Sequence, residues 1–461
     1  MELAAKNTVK GDLGVSFMVS AVLFGLIYFF LGETRNYYET VGVFLFLFTF
    51  TLFVRRTKNF FPLKELLAFV AILQWLVGPI VMYRLDNPHP IYKMYVEESV
   101  YMDFALPGTI LFLIGLLMPL GQKMISEVNH GLRMEMLSGN LNESVAKKLI
   151  GLGFLASFIS APGGFGFIAF LFSQTLYIGA LILYTNSGFK NKLWLGVVAL
   201  GMFNSILASA SFHTPVIWLT MFFIFRTWKE QWSYSKIYFL FFLGGIVVFF
   251  IQFVKTDFRS ELDSRAQNRD ELIWNKTLDN LEDTDAIFSE AGMLKQLPRM
   301  NQGGVVSRVM AHTPVAEPFA NGETIVDTFI AVFLPRFLAP NKKKAGGREN
   351  YQRYTGFEIR PGTSINISPL GEMWANFGSN GIWGMLFFGL AVNLIWFFYY
   401  KFARDACFLL LWLPLFFLQT VKAETDILTP LNHMFKSAII IYIFFKWVFP
   451  NFKYKIKPVL G

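Results

Sequence analysis

The chain has 461 residues, of which 54% are hydrophobic and 18% aromatic, and only 16% carry charge, against roughly a quarter in soluble domains. Long apolar runs recur along the whole length, which excludes a soluble globular enzyme and points to an all-α polytopic membrane protein. The net charge of +9 follows the sidedness of the loops and is no nucleic-acid footprint. A single cysteine, Cys407, excludes a disulfide framework and a multi-cysteine metal site.

The first apolar run, residues 13–31, is followed at once by others and shows no small-residue cleavage site, so it reads as a retained span and not a signal peptide. Further spans are expected at 40–54, 65–83, 103–121, 149–162, 164–185, 193–210, 212–226, 236–254, 379–400, 406–421 and 433–450, about twelve transmembrane helices in all. They divide the chain into an N-terminal bundle (1–254), a large loop (255–370) and C-terminal helices with a short tail (371–461). Lys and Arg crowd one set of short connections, at 55–64, 123–148, 190–192, 226–236, 401–404 and 446–457. The opposite set holds only Arg35, Arg84, Lys93, Lys422 and Lys436. The positive-inside rule then places both termini in the cytoplasm and the large loop outside.

That loop splits by charge. Residues 255–290 are acidic on balance, read as a solvated helix or two, and include Asp283-Thr-Asp285. From 291 to 360 the balance inverts: Lys295, Arg299, Arg308, Arg336, Lys342, Lys343, Lys344, Arg348, Arg353 and Arg360 face Glu317, Glu323, Asp327, Glu349 and Glu358. A long loop translocates whatever its charge, so one reading is a solvated basic loop. The other is a site for a phosphate, pyrophosphate or acidic sugar, whose oxygens suit arginine forks. His312 lies amid these basic residues; His89, His213 and His433 are also expected outside, and only His130 inside. The run at 324–339 is interrupted by Asp327, Pro335 and Arg336, and reads as re-entrant or interfacial rather than spanning.

Next comes "SPLGEMWANFGSNGIWG" (368–384), with a carboxylate at Glu372 and glycines at 371, 378, 381 and 384. Ser368 suits a helix cap, Pro369 the first turn, and an acid in that turn complements the helix dipole. The glycines suit close packing of membrane helices. The same geometry also sets a carboxylate beside the basic loop, where it could act on substrate.

"FLPRFLAPNKK" (333–343), followed by "SPLGEMWANFGSNGIWG", resembles the bacterial oligosaccharide repeat-unit polymerases of the O-antigen polymerase (Wzy) type. These carry a Pro-Arg-hydrophobic-x-Pro-x-Lys stretch late in the main outer loop, then a Gly-Glu-x-x-x-x-Phe-Gly start to the next span. "LPRMNQGGVVSRVMAHTPVAEPFANGET" (297–324) is similar to the segment that leads into that region. The resemblance covers about 297–390. It departs from the related O-antigen ligases, whose His-Asn pair is replaced here by Ile365-Asn366, and Ser211-Phe212-His213 stands where an arginine is common.

The resemblance implies a glycosyltransferase C-like architecture in the bacterial inner membrane. The implied activity joins polyprenyl-pyrophosphate-linked oligosaccharides on the outer face, with membrane lipid around it and a chain-length regulator as a further partner. Pyrophosphate leaves readily, so the reaction needs cations to stabilise developing charge and an acceptor for a hydroxyl proton. Arg299, Arg308, Arg336 and Arg360, with Lys342 in reserve, are the pyrophosphate candidates; Glu372 and His312 are the proton acceptors. No cofactor or metal is expected; Glu424-Thr-Asp426 is the better of the two acid pairs with metal-like spacing. The rival readings are the ligase and, in another class, a transporter or flippase. Against a transporter stand the lack of an internal half-repeat and of an ionisable path through the spans.

Overall fold

The computed structural model describes residues 2–31, 36–85, 93–138, 143–159, 164–187, 192–209, 213–246, 300–335, 337–359 and 364–448. Among these every regular element is helical. The order is α1 (Glu2–Leu31), α2 (Tyr37–Arg56), α3 (Leu63–Tyr83), α4 (Glu98–Leu117), α5 (Gln122–Ser138), α6 (Glu143–Ala156), α7 (Gly164–Ser173), α8 (Thr175–Ser187), α9 (Lys192–Ser209), α10 (His213–Glu230) and α11 (Tyr234–Ile246). Then come α12 (Gly303–His312), α13 (Glu323–Phe333), α14 (Arg348–Thr355), α15 (Ser368–Phe377), α16 (Gly381–Ala403), α17 (Cys407–Phe416) and α18 (Leu428–Ile443).

Crossing roughly 30 Å of hydrocarbon takes about twenty helical residues. Six stretches among the described residues are long and apolar enough: Tyr37–Arg56, Leu63–Tyr83, Glu98–Leu117, Gly166–Tyr184, Ser368–Ala403 and Leu428–Lys446. The protein is thus a polytopic helical membrane protein, with six helical stretches of spanning length among the described residues. One run, 406–421, falls on the shorter apolar helix Cys407–Phe416. The run at 149–162 falls largely on α6, which has 14 residues.

Two long helices cross at a pair of glycines. A Cβ at Gly389 of α16 would lie 2.3 Å from the Phe112 carbonyl oxygen of α4, and one at Gly115 would lie 2.5 Å from the Leu386 carbonyl oxygen. Only hydrogen fits at either position, so the backbones approach as small-residue membrane interfaces allow. Below the crossing Asn393 donates to the Gly115 and Met118 carbonyls at 3.0 and 2.9 Å. Buried indoles find partners too: Trp75 donates to the Ala423 carbonyl and Trp228 to the Thr57 carbonyl.

Residues 300–335 and 337–359 form a folded unit seated on one end of this bundle, and not a loosely solvated loop. The Gln302 amide donates to the Gln74 carbonyl at 3.1 Å, where a π-helical turn (Leu73–Val77) widens α3. A Cβ at Gly303 would overlap the Pro79 ring at 2.3 Å, and one at Gly78 the Met300 carbonyl oxygen at 2.4 Å, so both contacts require glycine. Ionisable groups are also buried at the far end of the bundle: Arg56, Lys64 and Glu65. Between them and the seat of the folded unit, α3 buries Leu67, Ala68, Ala71 and Ile72, so the two polar ends do not join along this helix.

Candidate functional site

The segment "SPLGEMWANFG" makes a short helix, α15, separated from α16 by a break at Gly378. Ser368 starts it, with its hydroxyl oxygen accepting from the Gly371 amide at 3.4 Å, and Pro369 occupies the first turn. The break needs glycine: Gly378 has φ +56°, and a Cβ there would meet the Phe319 ring at 2.8 Å. Past the break, Gly381 and Gly384 pack on Met373, where a Cβ would lie 2.5 Å from its carbonyl oxygen and 2.3 Å from its sulfur respectively.

Glu372 is fully buried and uses both carboxylate oxygens. Thr324 of α13 donates to Oε1 at 2.8 Å, and the Ile427 amide donates to Oε2 at 2.9 Å. Asn376, one turn on, donates to the Thr324 hydroxyl and to the Glu372 carbonyl, each at 2.7 Å, while its own oxygen accepts from the Gly322 amide. The Ala320 and Asn321 amides donate to the Ala375 and Asn376 carbonyls, satisfying the end of α15. Trp374 donates its indole N–H to the Thr313 carbonyl. The motif therefore ties α15 to α13, to the segment 313–322 and to the start of α18. A second buried carboxyl, Asp426, accepts from the Thr429 amide and hydroxyl. Burial pushes the Asp426 carboxyl above its ordinary range, against those bonds and the charge of Lys343.

Most described basic residues of the unit are engaged internally. Arg353 bridges Glu317 (2.6 Å) and Glu323 (2.7 Å), and its hydrogen bonds hold the Glu323 carboxyl below the usual carboxylate range. Lys343 pairs with Asp327 at 2.8 Å. Arg348 donates to Gln352 and to the Ile359 carbonyl. Lys342 donates to the Ala331 and Leu334 carbonyls, satisfying the C-terminus of α13. The run at 324–339 does not span: α13 has 11 residues, buries Thr324, Thr328, Ala331 and Val332, and exposes Val326, Phe329 and Phe333, with Phe337 and Leu338 following.

Arg308 and His312 differ from the rest. They lie four residues apart, on one face of α12. Arg308 Nε donates to the Thr355 carbonyl at 2.9 Å, and its guanidinium lies over the rings of Tyr95 and Phe357. Among the described residues its terminal nitrogens have no hydrogen-bond partner. Lys93 stands over the other neighbour, 5.3 Å from the Tyr95 ring centre. His312 is half-buried against Gly356, where φ is +68° and a Cβ would meet the imidazole at 2.7 Å. No family model, curated protein or solved structure matches the chain.

Of the sequence candidates, the structure brings Arg308 and His312 together on one surface, buries Glu372 between α13, α15 and the start of α18, and sets Lys342 at a helix end. Arg299, Arg336 and Arg360 lie outside the described residues, as do His89, Asp283 and Asp285. Sequence reasoning missed Tyr95 and Phe357 as neighbours of Arg308, and Lys93 as a second cation on the Tyr95 ring. Lys93 carried a signal, as a cation in a loop set otherwise poor in them; Tyr95 reaches the site through a bond from its amide to the Ser307 hydroxyl, 212 residues away.

Proposed function

We propose that this protein polymerises polyprenyl-pyrophosphate-linked oligosaccharide repeat units by glycosyl transfer on the outer face of a bacterial inner membrane. The observation that carries the reading is the surface of α12, where Arg308 has terminal donors to spare over the Tyr95 ring that Lys93 also approaches, and His312 makes no side-chain hydrogen bond among the described residues. A donor pyrophosphate placed there meets a planar fork and a second positive charge. The acceptor sugar hydroxyl attacks the anomeric carbon, the bond to the pyrophosphate oxygen breaks, and His312 takes the hydroxyl proton. Tyr95 and Phe357 offer aromatic edges to sugar rings. Glu372 acts at one remove, by holding α13, α15 and the start of α18 in register. The resemblance of 297–390 to the Wzy-type polymerases supports the same reading. It also makes a chain-length regulator the expected partner.

Glycan laddering in a deletion strain tests it. Loss of polymerase leaves single repeat units on the surface lipid, loss of a ligase leaves full-length unattached chains, and loss of a flippase leaves repeat units inside. The flippase reading draws on Arg56, Lys64 and Glu65, which are buried ionisable groups at spanning-helix ends. The apolar stretch between them and the Arg308 surface counts against it.

A further inference from the structure

At the end of the bundle away from residues 300–359, the turn between α2 and α3 gathers more positive charge than it neutralises. Arg56 and Glu65 form a buried ion pair, and Arg55 pairs with Asp12 at 3.4 Å. Lys64 is left over. It is 5% exposed, its ammonium donates only to the neutral Asn393 oxygen at 2.8 Å among the described residues, and it faces the Trp396 ring. Three cations thus share two carboxylates in a place where an unpaired charge is costly. Arg56 Nε is likewise buried without a hydrogen-bond partner. Arg56, Lys64 and Glu65 line one small cavity, whose other walls include Gln122, Trp396 and Tyr400.

We propose that this cavity is a binding site for a phosphate group, reached either by the headgroup of a phospholipid or by free phosphate. An oxyanion there would accept from the Lys64 ammonium beside the Arg56 guanidinium, which neutralises the surplus charge. Gln122 offers a neutral amide to a further oxygen. The position fits a headgroup: Arg56 and Lys64 sit at the ends of two spanning helices, at the level where lipid phosphates meet water.

The test uses the purified full chain. In lipid-free detergent, inorganic phosphate at constant ionic strength should raise the melting temperature saturably. Lys64→Gln should weaken that binding about tenfold, the effect of losing one charge-assisted hydrogen bond. Native mass spectrometry after extraction from phosphatidylglycerol nanodiscs then separates the sources. A retained lipid that inorganic phosphate displaces identifies the headgroup; phosphate binding with no retained lipid identifies the free anion. Should Lys64→Gln fail to fold, Gln122→Leu alters the same wall without removing charge, and should weaken phosphate binding in the same sense. Absence of saturable protection by phosphate, together with equal lipid retention in wild type and variant, overturns the proposal.

Discussion

Thr324 donates its hydroxyl hydrogen to Glu372 while its oxygen accepts from Asn376, at 2.8 and 2.7 Å, so this one hydroxyl is satisfied in both directions. The arrangement makes the effect of substituting Glu372 specific. Glutamine at 372 keeps the shape, and its oxygen can accept from the Ile427 amide, but its NH₂ then faces a hydroxyl that needs an acceptor. Leaving a buried donor unmet costs about 1–3 kcal/mol. Glu372→Gln should therefore melt lower in detergent and lose polymerisation in step with the loss of folded protein. If residual folded Glu372→Gln loses turnover by about a hundredfold or more at unchanged melting temperature, the carboxylate takes part in proton transfer, and the positioning role is wrong.

Arg308 should behave in the opposite way. Its guanidinium lies at a half-buried surface over two rings, with one bond to a backbone carbonyl, so Arg308→Ala should leave the melting temperature nearly unchanged. Loss of a donor to the leaving pyrophosphate should lower turnover about a hundred- to a thousandfold. Arg308→Lys should recover little, because the planar fork and the stacking are lost. Wild-type glycan ladders from Arg308→Ala at normal protein level would reject the pyrophosphate role.

Much of the scaffold was legible in the sequence and much of the site was not, for physical reasons. Apolar runs announce helices because hydrocarbon demands them, and Ser368-Pro369 announces a helix start through local chemistry. Apolarity alone does not fix helix length: α6 and α17 are apolar yet short, so six stretches of spanning length stand among the described residues where about twelve apolar runs are expected. The partners of Glu372 are 48 and 55 residues away in sequence, and those of Arg353 are 36 and 30. No local pattern carries such pairings. The positive excess of the loop was visible as a sum, but how the individual cations are paired is a tertiary fact.

Sidedness is open to a direct check. Val315 follows α12 and is 85% exposed, whereas the native Cys407 is buried. Val315→Cys in intact cells should react with a membrane-impermeant maleimide from outside. Labelling only after the cytoplasm is opened would invert the topology and remove the mechanism with it.

The Arg353 clamp predicts a pH response. Glu323 has its pKa depressed by Arg353, so the clamp's contribution is complete above the ordinary carboxylate range and is lost as pH falls through the lower folded value. Glu323 is about half exposed (49%), so solvent screening keeps the contribution to at most about 1 kcal/mol. Amide exchange over 317–323 should rise as pH falls below the ordinary carboxylate range, after correction for intrinsic rates, and Arg353→Gln should show the raised exchange already at neutral pH. A corrected exchange profile that is flat in wild type would remove the clamp from the account.

The crossing of α4 and α16 gives a test in which two chemically identical substitutions differ in sign. Both Gly389 and Gly151 lie inside helices, where alanine is favoured over glycine by about 1 kcal/mol when nothing opposes it. At Gly151 nothing lies within 4 Å of the added carbon, so Gly151→Ala should raise the melting temperature slightly. At Gly389 the carbon would sit 2.3 Å from the Phe112 carbonyl oxygen and 2.9 Å from the Leu116 nitrogen, and both are backbone atoms of a packed helix. Neither can rotate away, so α4 and α16 must separate. Overpacking of this kind costs about 1–3 kcal/mol, which exceeds the propensity gain. Separation also pulls the Gly115 and Met118 carbonyls away from Asn393, whose amide reaches both across this interface. Gly389→Ala should therefore melt lower than wild type in the same detergent, with Gly115→Ala showing the same loss from the other side. A Gly389→Ala protein as stable as Gly151→Ala would mean that the two helices do not cross at these glycines.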